Sequence, residues 1–492
     1  MRIEATLRSP LAHAFILVTW LWMALPCALA SAPAGDASDD DARVRVWLTT
    51  SDQAKALSAQ ADVAFSERKP LRADITVDPR QRFQRMVGFG ASITDASAWL
   101  IQQRMDPGQR DALLRELFGR EDDGIGLDFV RLTIGASDFS RSHYSLDDPP
   151  DGAPDPELAH FDIAPNRTDV IPVTRAALAI NPRLTVMASP WSAPAWMKDS
   201  GSLIRGRLLP QYYDAFARYL LAYVDAYRAE GIPIHALTVQ NEPDFEPDSY
   251  PGMRFNAPER ARFIGRHLGP LLAAHASPPQ LFDWDHNWDK PEEPLQVLAD
   301  AQANRYVDAV AWHCYAGDPS AQTPVHDAFP GKDAYMTECS GGDWEPLRSG
   351  GLTLQARRLI VGATRHWARG VLFWNLALDE RGGPHAGGCD TCRGVVTIDS
   401  ASGDVARTDD YYALAHASRF VHPGAWRIAS TESGRGLDNV AFLNEDDGSV
   451  ALVVVNSART SRRFGVSQGN RAFEYRLPAK SLATFVWKAT PD

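Results

Sequence analysis

Eight short apolar runs recur along the middle of the chain, and a longer stretch with helical periodicity separates each run from the next. The runs are residues 86–90, 129–134, 184–188, 236–239, 280–284, 309–313, 334–337 and 370–374. Strands that alternate with helices pair in parallel, and eight such units over about 330 residues match the size of a (β/α)₈ TIM barrel. A doubly wound sheet is the rival architecture, but no GxGxxG turn follows the first run. The pattern therefore predicts an α/β fold of the barrel type.

The stretches between the runs carry the signals of helix ends. Asp106 and Pro107 form an N-cap and first-turn pair, and Gly119 ends the periodic pattern that follows. The apolar side chains between these points fall on one helical face, namely Leu113, Leu114, Leu117 and Phe118. A helix at this place alternates with the flanking runs, as the barrel requires.

The chain changes character after about residue 421, where short strands follow one another without a helical pattern between them. The strand-like runs are residues 439–443, 450–455, 472–476 and 482–487. Two earlier runs, residues 44–48 and 73–77, precede the barrel, and we predict that they join these strands in a small side β-sandwich. The predicted domains are residues 43–80 for the N-terminal strands, 81–420 for the barrel and 421–492 for the C-terminal part of the sandwich.

Residues 1–30 have the three zones of a secretory signal peptide. Two arginines precede an apolar stretch from residue 14 to residue 25, and residues 28–30 are small, as a cleavage site requires. A single membrane-spanning anchor is the alternative, but the apolar core is short beside the roughly 20 residues of a span. Residues 31–42, rich in Ala, Gly, Ser and Asp, predict a disordered leader. The mature protein is therefore expected to be secreted or periplasmic, without stable membrane insertion.

Charge limits the range of partners. The formal net charge is −12 at pH 7, and loss of residues 1–30, which hold two arginines and one glutamate, makes it −13. Nucleic acids and anionic membranes bind basic faces, so an acidic chain is not expected to use either as its main partner. A neutral sugar substrate is compatible with this charge.

Four cysteines follow the predicted leader, and two of them, Cys389 and Cys392, have CxxC spacing. This spacing occurs in redox motifs and in half of a zinc site, but the sequence holds no second CxxC or HxxxH and no thioredoxin-like context. In an exported chain, a small structural disulfide in a Gly-rich loop is the better interpretation. Cys314 and Cys339 are either free and buried or joined, and the sequence leaves both options open. No metal site is predicted.

Two glutamates stand at the ends of apolar runs. Glu242 lies in the segment Asn241-Glu242-Pro243 after the fourth run, and Glu338 directly follows the seventh. Cleavage of a glycosidic bond needs two carboxyl groups, one to protonate the leaving oxygen and one to attack or stabilise the sugar cation. A helix start with proline in the first turn would also explain Asn241-Glu242-Pro243. Together the two glutamates favour a sugar-cleaving enzyme.

The active site of a barrel of this type lies at the carboxyl ends of its strands. The sequence places ten polar or aromatic residues there, namely Asp95, Arg131, Asp138, Trp191, Asn241, Glu242, His313, Tyr315, Glu338 and Trp374. Structural alternatives exist for each: a buried Arg131 needs a carboxylate partner, His313 is more often a core histidine, and Trp191 could be packing. The combination of carboxylates, aromatic platforms and an Arg–Asp pair favours a sugar-binding catalytic site.

Five segments along the chain form an ordered set of motifs. They are residues 88–95 (GFGASITD), 189–198 (SPWSAPAWMK), 241–243 (NEP), 337–338 (TE) and 373–378 (FWNLAL). In content and order this set resembles glycoside hydrolase family 30, the family of acid glucosylceramidase. The resemblance spans residue 83 to the C-terminus and implies a barrel with a side β-sandwich, in agreement with the pattern of runs.

The resemblance also implies roles for individual residues. Glu242 would be the acid/base and Glu338 the nucleophile of a retaining hydrolase of β-glucosidic bonds, which needs no metal or organic cofactor. The glucose subsite would be lined by Asp138, Trp191, Asn241 and Trp374, with His313 and Tyr315 close by. Arg131 would support the site structurally.

The implied substrate is a β-linked glucoside or glucan, either a glycolipid or a polysaccharide. We expect a glucosylceramidase-like or β-glucosidase-like activity, with an endo-β-1,6-glucanase or a β-xylosidase of the same family as alternatives. Cys314 stands where the lysosomal enzymes carry a tryptophan, and the loop at residues 387–394 also differs, so the leaving group stays open. A non-catalytic carbohydrate-binding protein is the alternative from another class. Such a protein would be free to lose one glutamate, and both are present.

Overall fold

The computed structural model describes residues 43–67, 73–345, 350–434 and 436–489. The predicted signal peptide and leader, residues 1–42, lie outside the described residues. Within the described ranges, no helix has both the length and the apolar character that crossing a membrane requires.

Eight parallel strands form a closed barrel in which each strand pairs with the next along the chain and the eighth pairs with the first. In chain order the strands are Gly88–Ser92, Phe129–Ile134, Thr185–Pro190, Ala236–Thr238, Gln280–Asn287, Ala309–His313, Asp333–Glu338 and Ala368–Asn375. Nearly all their residues are buried, because helices cover the outside of the barrel and side chains fill its inside. The predicted fold class is confirmed.

Aromatic side chains fill the barrel lumen. Phe282 and Tyr335 stack with their ring centroids 4.5 Å apart, and Phe129 packs on Tyr335 at 5.8 Å. Gly90 lets the first two barrel strands approach each other closely, because a β-carbon at this position would lie 1.7 Å from the carbonyl oxygen of Phe129. The lumen is therefore a packed core, and a ligand must bind at the mouth of the barrel.

Helices alternate with the barrel strands. The α-helices are Asp95–Gln103, Pro107–Phe118, Ala164–Arg167, Val170–Ile180, Tyr213–Ala229, Ala257–Phe263, Gly269–Ala273, Glu292–Ala299, Ala301–Asn304, Gln322–Ala328, Gly351–Gln355 and Asp409–Ser418. Single turns of 3₁₀-helix are Ala195–Met197, Pro210–Tyr212 and Pro319–Ala321. Segments of π-helix are Ile264–Leu268 and Ala356–Ala363. The helix that starts at Pro107 begins as the sequence predicts, because Asp106 accepts hydrogen bonds from the N–H groups of Gly108 and Gln109 at 2.7 and 2.9 Å.

The remaining large element is a ten-stranded sheet built from both ends of the described chain. Its strands are Arg43–Thr50, Ser58–Ala59, Val63–Ala64, Ile75–Arg85, Trp426–Ser430, Leu437–Leu443, Ser449–Asn456, Arg462–Gln468, Arg471–Leu477 and Ser481–Lys488. Arg43–Thr50 pairs antiparallel with the last strand, and Ile75–Arg85 pairs antiparallel with Trp426–Ser430. The early strands therefore join the C-terminal ones, as predicted, around a core of their own.

Two smaller sheets lie after the seventh and eighth barrel strands. Gly341–Gly342 pairs with Cys392–Arg393. Ala377–Asp379, Val396–Ile398 and Val405–Arg407 form a three-stranded sheet. These sheets fix the segments that surround one side of the barrel mouth.

A buried histidine joins the helix Asp409–Ser418 to the ten-stranded sheet. The ring nitrogens of His416 lie 2.8 Å from Thr49 Oγ1 and 2.9 Å from Thr484 Oγ1, on the first and last strands of the sheet. Burial lowers the pKa of His416 to about 3. The imidazole is therefore neutral at physiological pH and serves as a structural hydrogen-bonding link.

Candidate active site

Glu242 lies at the carboxyl end of the fourth barrel strand, where backbone hydrogen bonds fix its position. The N–H of Asn241 donates to the carbonyl of Pro190 at 2.8 Å, and the N–H of Glu242 donates to the carbonyl of Asp285 at 3.0 Å. The third and fifth strands therefore hold this segment from both sides. Glu242 has a φ of +48°, a left-handed conformation that costs free energy in a residue other than glycine and that clusters at functional sites.

Glu338 is the last residue of the seventh barrel strand, and both of its carboxylate oxygens accept hydrogen bonds. Arg131 donates to Oε2 at 2.5 Å, and the hydroxyl of Tyr315 donates to Oε1 at 2.9 Å. One oxygen of Glu338, one oxygen of Glu242 and a ring nitrogen of His313 all lie within 4.8 Å of one another. The two glutamates singled out in the sequence therefore meet at one point of the barrel mouth.

Arg131 lies beneath both glutamates with its side chain fully buried. Besides Glu338 it donates to Asn241 Oδ1 and Asp285 Oδ2, each at 2.8 Å, and to Ser189 Oγ at 3.1 Å. The sequence expectation of a carboxylate partner is met twice, which a buried guanidinium requires. Because the carbonyl oxygen of Asn241 is occupied, its NH₂ group is the part that is left to donate to a ligand.

Asp285, in the fifth strand, is a site residue that the sequence analysis missed. It is fully buried and accepts hydrogen bonds from five side chains, namely Arg131, Ser189, Thr238, His313 and Thr337. Burial opposes its charge, but Arg131 and His313 hold the pKa of Asp285 far below its usual range. Trp284 and Asp285 have positive φ angles of 76° and 54°, so the strand bulges at this point and turns Asp285 inward.

His313 connects Asp285 to the acid/base candidate. Its Nε2 lies 3.0 Å from Asp285 Oδ1, and its Nδ1 lies 3.2 Å from Glu242 Oε1. Burial works against the charged imidazole, but the carboxylates of Glu338, Asp285 and Glu242 outweigh it and raise the pKa of His313 to about 9. His313 is therefore a part of the charged network and not a core histidine.

The two glutamates are shifted in opposite directions. Burial alone would raise the pKa of Glu242, but His286 and His313 outweigh it and hold that pKa below its usual range. Burial raises the pKa of Glu338 against the opposing charges of His313 and Arg131. Groups this close exchange protons as one coupled set, so the protonation of each depends on the others.

Trp374 lines the mouth, and Trp191, which does not line the cavity itself, packs against Trp374. Trp191 and Trp374 stack with centroids 5.0 Å apart and an interplanar angle of 18°, and the Arg131 guanidinium lies 4.7 Å from the first ring and 5.4 Å from the second. Asp138 lies at the same mouth, and its buried Oδ1 has no hydrogen-bond partner among the described residues. Burial, with the charges of Glu338 and Glu242, raises the pKa of Asp138 to about 8. Asp138 can therefore offer a sugar hydroxyl either a donor or an acceptor.

The mouth opens into a cavity of about 530 Å³, a size typical of ligand sites. It is lined by Asp138, Glu242, Phe245, Pro247, Asp248, Ser249, Tyr250, His286, Asn287, Tyr315, Glu338, Trp344, Trp374, Gly388, Cys389 and Cys392. Asp95, also considered from the sequence, lies outside this cavity and instead accepts hydrogen bonds from Ser140 and Tyr144 at 2.6 and 2.8 Å.

Two disulfides border the site. Cys389 and Cys392 are joined, as predicted, and Gly388 beside them packs so closely that a β-carbon there would lie 2.5 Å from the Asp138 β-carbon. Cys314 and Cys339, which the sequence left open, are also joined. Since Cys314 follows His313 and Cys339 follows Glu338, this second bond ties together the strand ends that carry the two site residues.

Three clusters of carboxylates and histidines in the described part of the chain are compact enough to surround a cation. The first consists of Glu242, His313 and Glu338, where the Arg131 guanidinium already supplies a positive charge at 2.5 Å from Glu338. The other two lie away from the cavity and consist of Asp147, Asp155 and His160, and of His422, Asp446 and Asp447.

Two carboxyl groups this close at the mouth of a barrel, beside stacked indole rings, form the arrangement with which glycoside hydrolases cleave their substrates. The model of the glycosyl hydrolase family 30 TIM-barrel domain matches residues 86–421, and the model of that family's β-sandwich domain matches residues 424–485. The chain belongs to glycoside hydrolase family 30.

Relatives of this chain include endo-1,6-β-glucanases and glucosylceramidases. An endo-1,6-β-D-glucanase of Neurospora crassa is 36% identical over 399 residues, which cover 78% of this chain and 81% of that protein. The lysosomal acid glucosylceramidase of Mus musculus is 29% identical over 438 residues, which cover 84% and 83%. Among solved structures, the endo-β1,6-glucanase BT3312 is 34% identical with a TM-score of 0.83, over 91% of this chain and 99% of that one.

Proposed function

We propose that this chain is an endo-β-1,6-glucanase that cleaves with retention of anomeric configuration. The choice of substrate rests on how the sequence identity to the relatives differs between the two activities. Proteins named as endo-β-1,6-glucanases are 36% and 34% identical to the chain, against 29% for the lysosomal glucosylceramidase. The glucosylceramidase-like activity favoured from the sequence is therefore replaced by its stated alternative.

Retention is supported by the distance between the two carboxyl groups. One oxygen of Glu242 lies within 4.8 Å of one oxygen of Glu338. Retaining glycosidases hold their carboxyl groups about 5–5.5 Å apart, whereas inverting enzymes need about 6.5–9.5 Å to admit a water molecule between carboxylate and sugar. Carboxylate oxygens this close to each other leave little room for an intervening water, which favours direct attack of one carboxylate on the sugar.

The reaction then proceeds in two steps. Glu338 attacks the anomeric carbon, and the bond from that carbon to the leaving oxygen breaks while Glu242 gives this oxygen a proton. Water next attacks the glycosyl-enzyme, loses a proton to Glu242 and releases Glu338. Burial raises the pKa of Glu338, and the hydrogen bonds that Arg131 and Tyr315 donate to its oxygens oppose this shift and favour the ionised form that attacks.

The proton for the first step is held between His313 and Glu242. It can reside on His313 Nδ1 facing a carboxylate, or on Glu242 Oε1 facing a neutral imidazole, across the same 3.2 Å. Asp285 accepts the Nε2–H bond in both arrangements. When substrate excludes water from the cavity, the separated charges become unfavourable, so the proton moves onto Glu242 and is ready for the leaving oxygen.

Side chains around the pair position the sugar. The NH₂ group of Asn241, left free by the bond from Arg131 to its carbonyl oxygen, suits the 2-hydroxyl, whose hydrogen bonds strengthen in the transition state. Asp138 suits further hydroxyls, and the ring of Trp374, held by its stack on Trp191, suits the C–H face of glucose. These contacts place the anomeric carbon between the two carboxyl groups.

A substrate panel tests the proposal. The purified protein should release oligosaccharides from a β-1,6-glucan much faster than it releases glucose from glucosylceramide or xylose from xylan. Proton NMR should show that the first products have the β-configuration at the anomeric carbon. Glu338→Gln keeps the shape of the side chain and removes the nucleophile, so it should abolish hydrolysis. This loss distinguishes an enzyme from a protein that only binds the glucan. A preference for glucosylceramide would contradict the proposed substrate. An α-anomeric first product would contradict the proposed retention of configuration.

We also propose that the chain is exported after removal of residues 1–30. The charged, apolar and small-residue zones of that segment support this proposal. Mass spectrometry of the native protein should find an N-terminus near Ser31, and recovery of a cytosolic form that retains Met1 would contradict it.

A further inference from the structure

Three large hydrophobic side chains in the described chain are strongly exposed, namely Phe245, Tyr315 and Trp344, at 45%, 44% and 53%. All three line the cavity that contains the two glutamates. Exposed aromatic residues scattered over a surface need no explanation, but their concentration at one cavity marks a binding surface. Tyr315 already has a role there, because its hydroxyl donates to Glu338. Phe245 and Trp344 are left without one.

Trp344 is held firmly in spite of its exposure. Its ring lies directly on the backbone of Gly342, where a β-carbon would meet a ring carbon at 2.1 Å. The surrounding backbone is bonded to the disulfide segment, since the N–H of Asp343 donates to Thr391 at 2.9 Å and Arg393 donates to the carbonyl of Glu345 at 2.8 Å. One face of the indole is thus fixed against the protein while much of the ring stays open to the cavity.

Phe245 belongs to the same turn as the acid/base. Its N–H donates to the carbonyl of Glu242 at 2.9 Å, so its backbone is fixed relative to the group that protonates the leaving oxygen. Glu338 and its partner Tyr315 lie on the side of the nucleophile. The ring of Phe245, beside Glu242, is therefore on the side from which the leaving group departs.

Trp344 lines the same cavity and is 53% exposed, whereas Trp374, assigned to the bound glucose, and its stacking partner Trp191 are each 2% exposed. Trp344 thus lies at the outer rim of the cavity, beyond the bound glucose.

We propose that Phe245 and Trp344 form the subsite that binds the sugar unit on the leaving-group side of the cleaved bond. This inference rests on the proposed function and names the part of the site that recognises the leaving group. A hexose has C–H faces that pack on aromatic rings and hydroxyls that need polar partners. Asp248, Ser249 and Asn287 line the same cavity beside the rings and supply such partners.

Substrates that differ only in the leaving group test this subsite. β-Glucosyl fluoride leaves as fluoride and occupies no leaving-group subsite, whereas a β-1,6-linked gluco-oligosaccharide does. In Trp344→Ala, the kcat/KM for the oligosaccharide, divided by that for the fluoride, should fall about tenfold, as expected for loss of one stacking contact. Trp344→Tyr should restore most of the ratio. Trp99→Ala, on a helix outside the cavity, is the matched control and should leave the ratio unchanged.

Gly342→Ala provides an independent variant, because its new β-carbon would push the Trp344 ring from its place without removing it. It should lower the same ratio. Equal loss on both substrates in Trp344→Ala would mean that the ring supports the catalytic pair and not the leaving group. An unchanged ratio in both variants would overturn the subsite.

A transfer experiment keeps this inference separate from the proposed function. With β-glucosyl fluoride as donor, the glycosyl-enzyme partitions between water and an added acceptor, whose hydroxyl attacks the anomeric carbon while Glu242 takes its proton. Trp344→Ala should reduce transfer to methyl β-glucoside more than transfer to hexanol. The opposite order would point to a lipid subsite. If the wild type failed to cleave β-1,6-glucan, the proposed function would fall, while this partition would still report on Trp344.

Discussion

Two histidines of this enzyme are equally buried and behave in opposite ways. His416 lies between the threonine hydroxyls of two sheet strands, and burial lowers its pKa to about 3. His313 lies among Glu242, Asp285 and Glu338, whose charges overcome burial and raise its pKa to about 9. The fold can therefore stabilise a buried imidazole as neutral or as charged, and the neighbouring oxygens decide which.

The regions around His416 and His313 differ in the same way as the two histidines. Around His416, the contact between the helix and the sheet is made by neutral hydroxyl groups, so its contribution is to stability. The catalytic mouth buries carboxylates, a guanidinium and an imidazolium together, and each charge there depends on its partners. Changes at the interface should therefore alter unfolding, and changes at the mouth should alter activity first.

Asp285→Asn is expected to have the largest effect at the mouth. The substitution keeps size and removes the charge that Arg131 and His313 share, so the orientation of both glutamates is weakened. We expect kcat/KM to fall by on the order of 10²-fold, because a small misplacement of reacting groups is costly. Steady-state kinetics on an aryl β-glucoside measure it. Thr337→Val, which removes one neutral hydrogen bond to the same carboxylate, is the control and should cost far less.

His313→Gln should change the pH profile of kcat/KM. In the wild type the shared proton is lost as pH rises through about 9, so the basic limb should fall near that pH. Without the imidazole, Glu242 must hold the proton alone, and the basic limb should move to lower pH by at least about one unit. A basic limb that stays in place would mean that the proton is not shared between these residues.

His416→Gln should change the pH dependence of stability and leave the activity almost unchanged. The folded-state pKa of His416 is below its unfolded value of 6.5, so the histidine costs no stability above pH 6.5 and a growing amount as pH falls towards 3. The wild type should lose roughly 1.4 kcal/mol per pH unit in that window through this residue. Urea unfolding at several pH values should give a shallower acid slope for the variant, with kcat at neutral pH little changed.

The pair Cys389→Ser and Cys392→Ser is expected to have the smallest effect. The loop that this disulfide closes is very short, so its removal should lower the melting temperature only slightly. The segment packs on Asp138, so KM should rise a few-fold while kcat stays close to wild type. Calorimetry and steady-state kinetics on the double variant measure both. A large loss of kcat would show that the disulfide also orders the catalytic pair.

Strand positions in the barrel could be predicted because buried parallel strands are continuous apolar runs. Four strands of the sheet were missed. Ser58–Ala59 and Val63–Ala64 are only two residues long, and the other two were missed because polar residues break their pattern. Trp426–Ser430 and Arg462–Gln468 carry Arg427, Arg462 and Gly465, which interrupt the apolar pattern, although Arg427 packs its guanidinium 3.6 Å from the ring of Phe83. Partners of this kind are set by tertiary contacts and leave no local signal.

Both glutamates could be found because they directly follow apolar runs. Asp285 could not be found in the same way, because the run was taken to end at Trp284 and a bulge, which no residue pattern announces, turns the next side chain inward. The bond between Cys314 and Cys339 depends on the register that sets His313 opposite Glu338 on neighbouring strands. Twenty-five residues separate the two cysteines, so their distance in space is a property of the barrel.

The proposed mechanism assigns the attack on the sugar to Glu338 and the transfer of the proton to Glu242. Glu242→Ala, given an aryl β-glucoside with a good leaving group, should accumulate a glycosyl-enzyme, because that first step needs little protonation. Azide, which attacks without a general base, should then restore turnover and yield the β-glucosyl azide. Production of the α-azide from this variant, or rescue of Glu338→Ala to the β-azide instead, would contradict the assignment of the two glutamates.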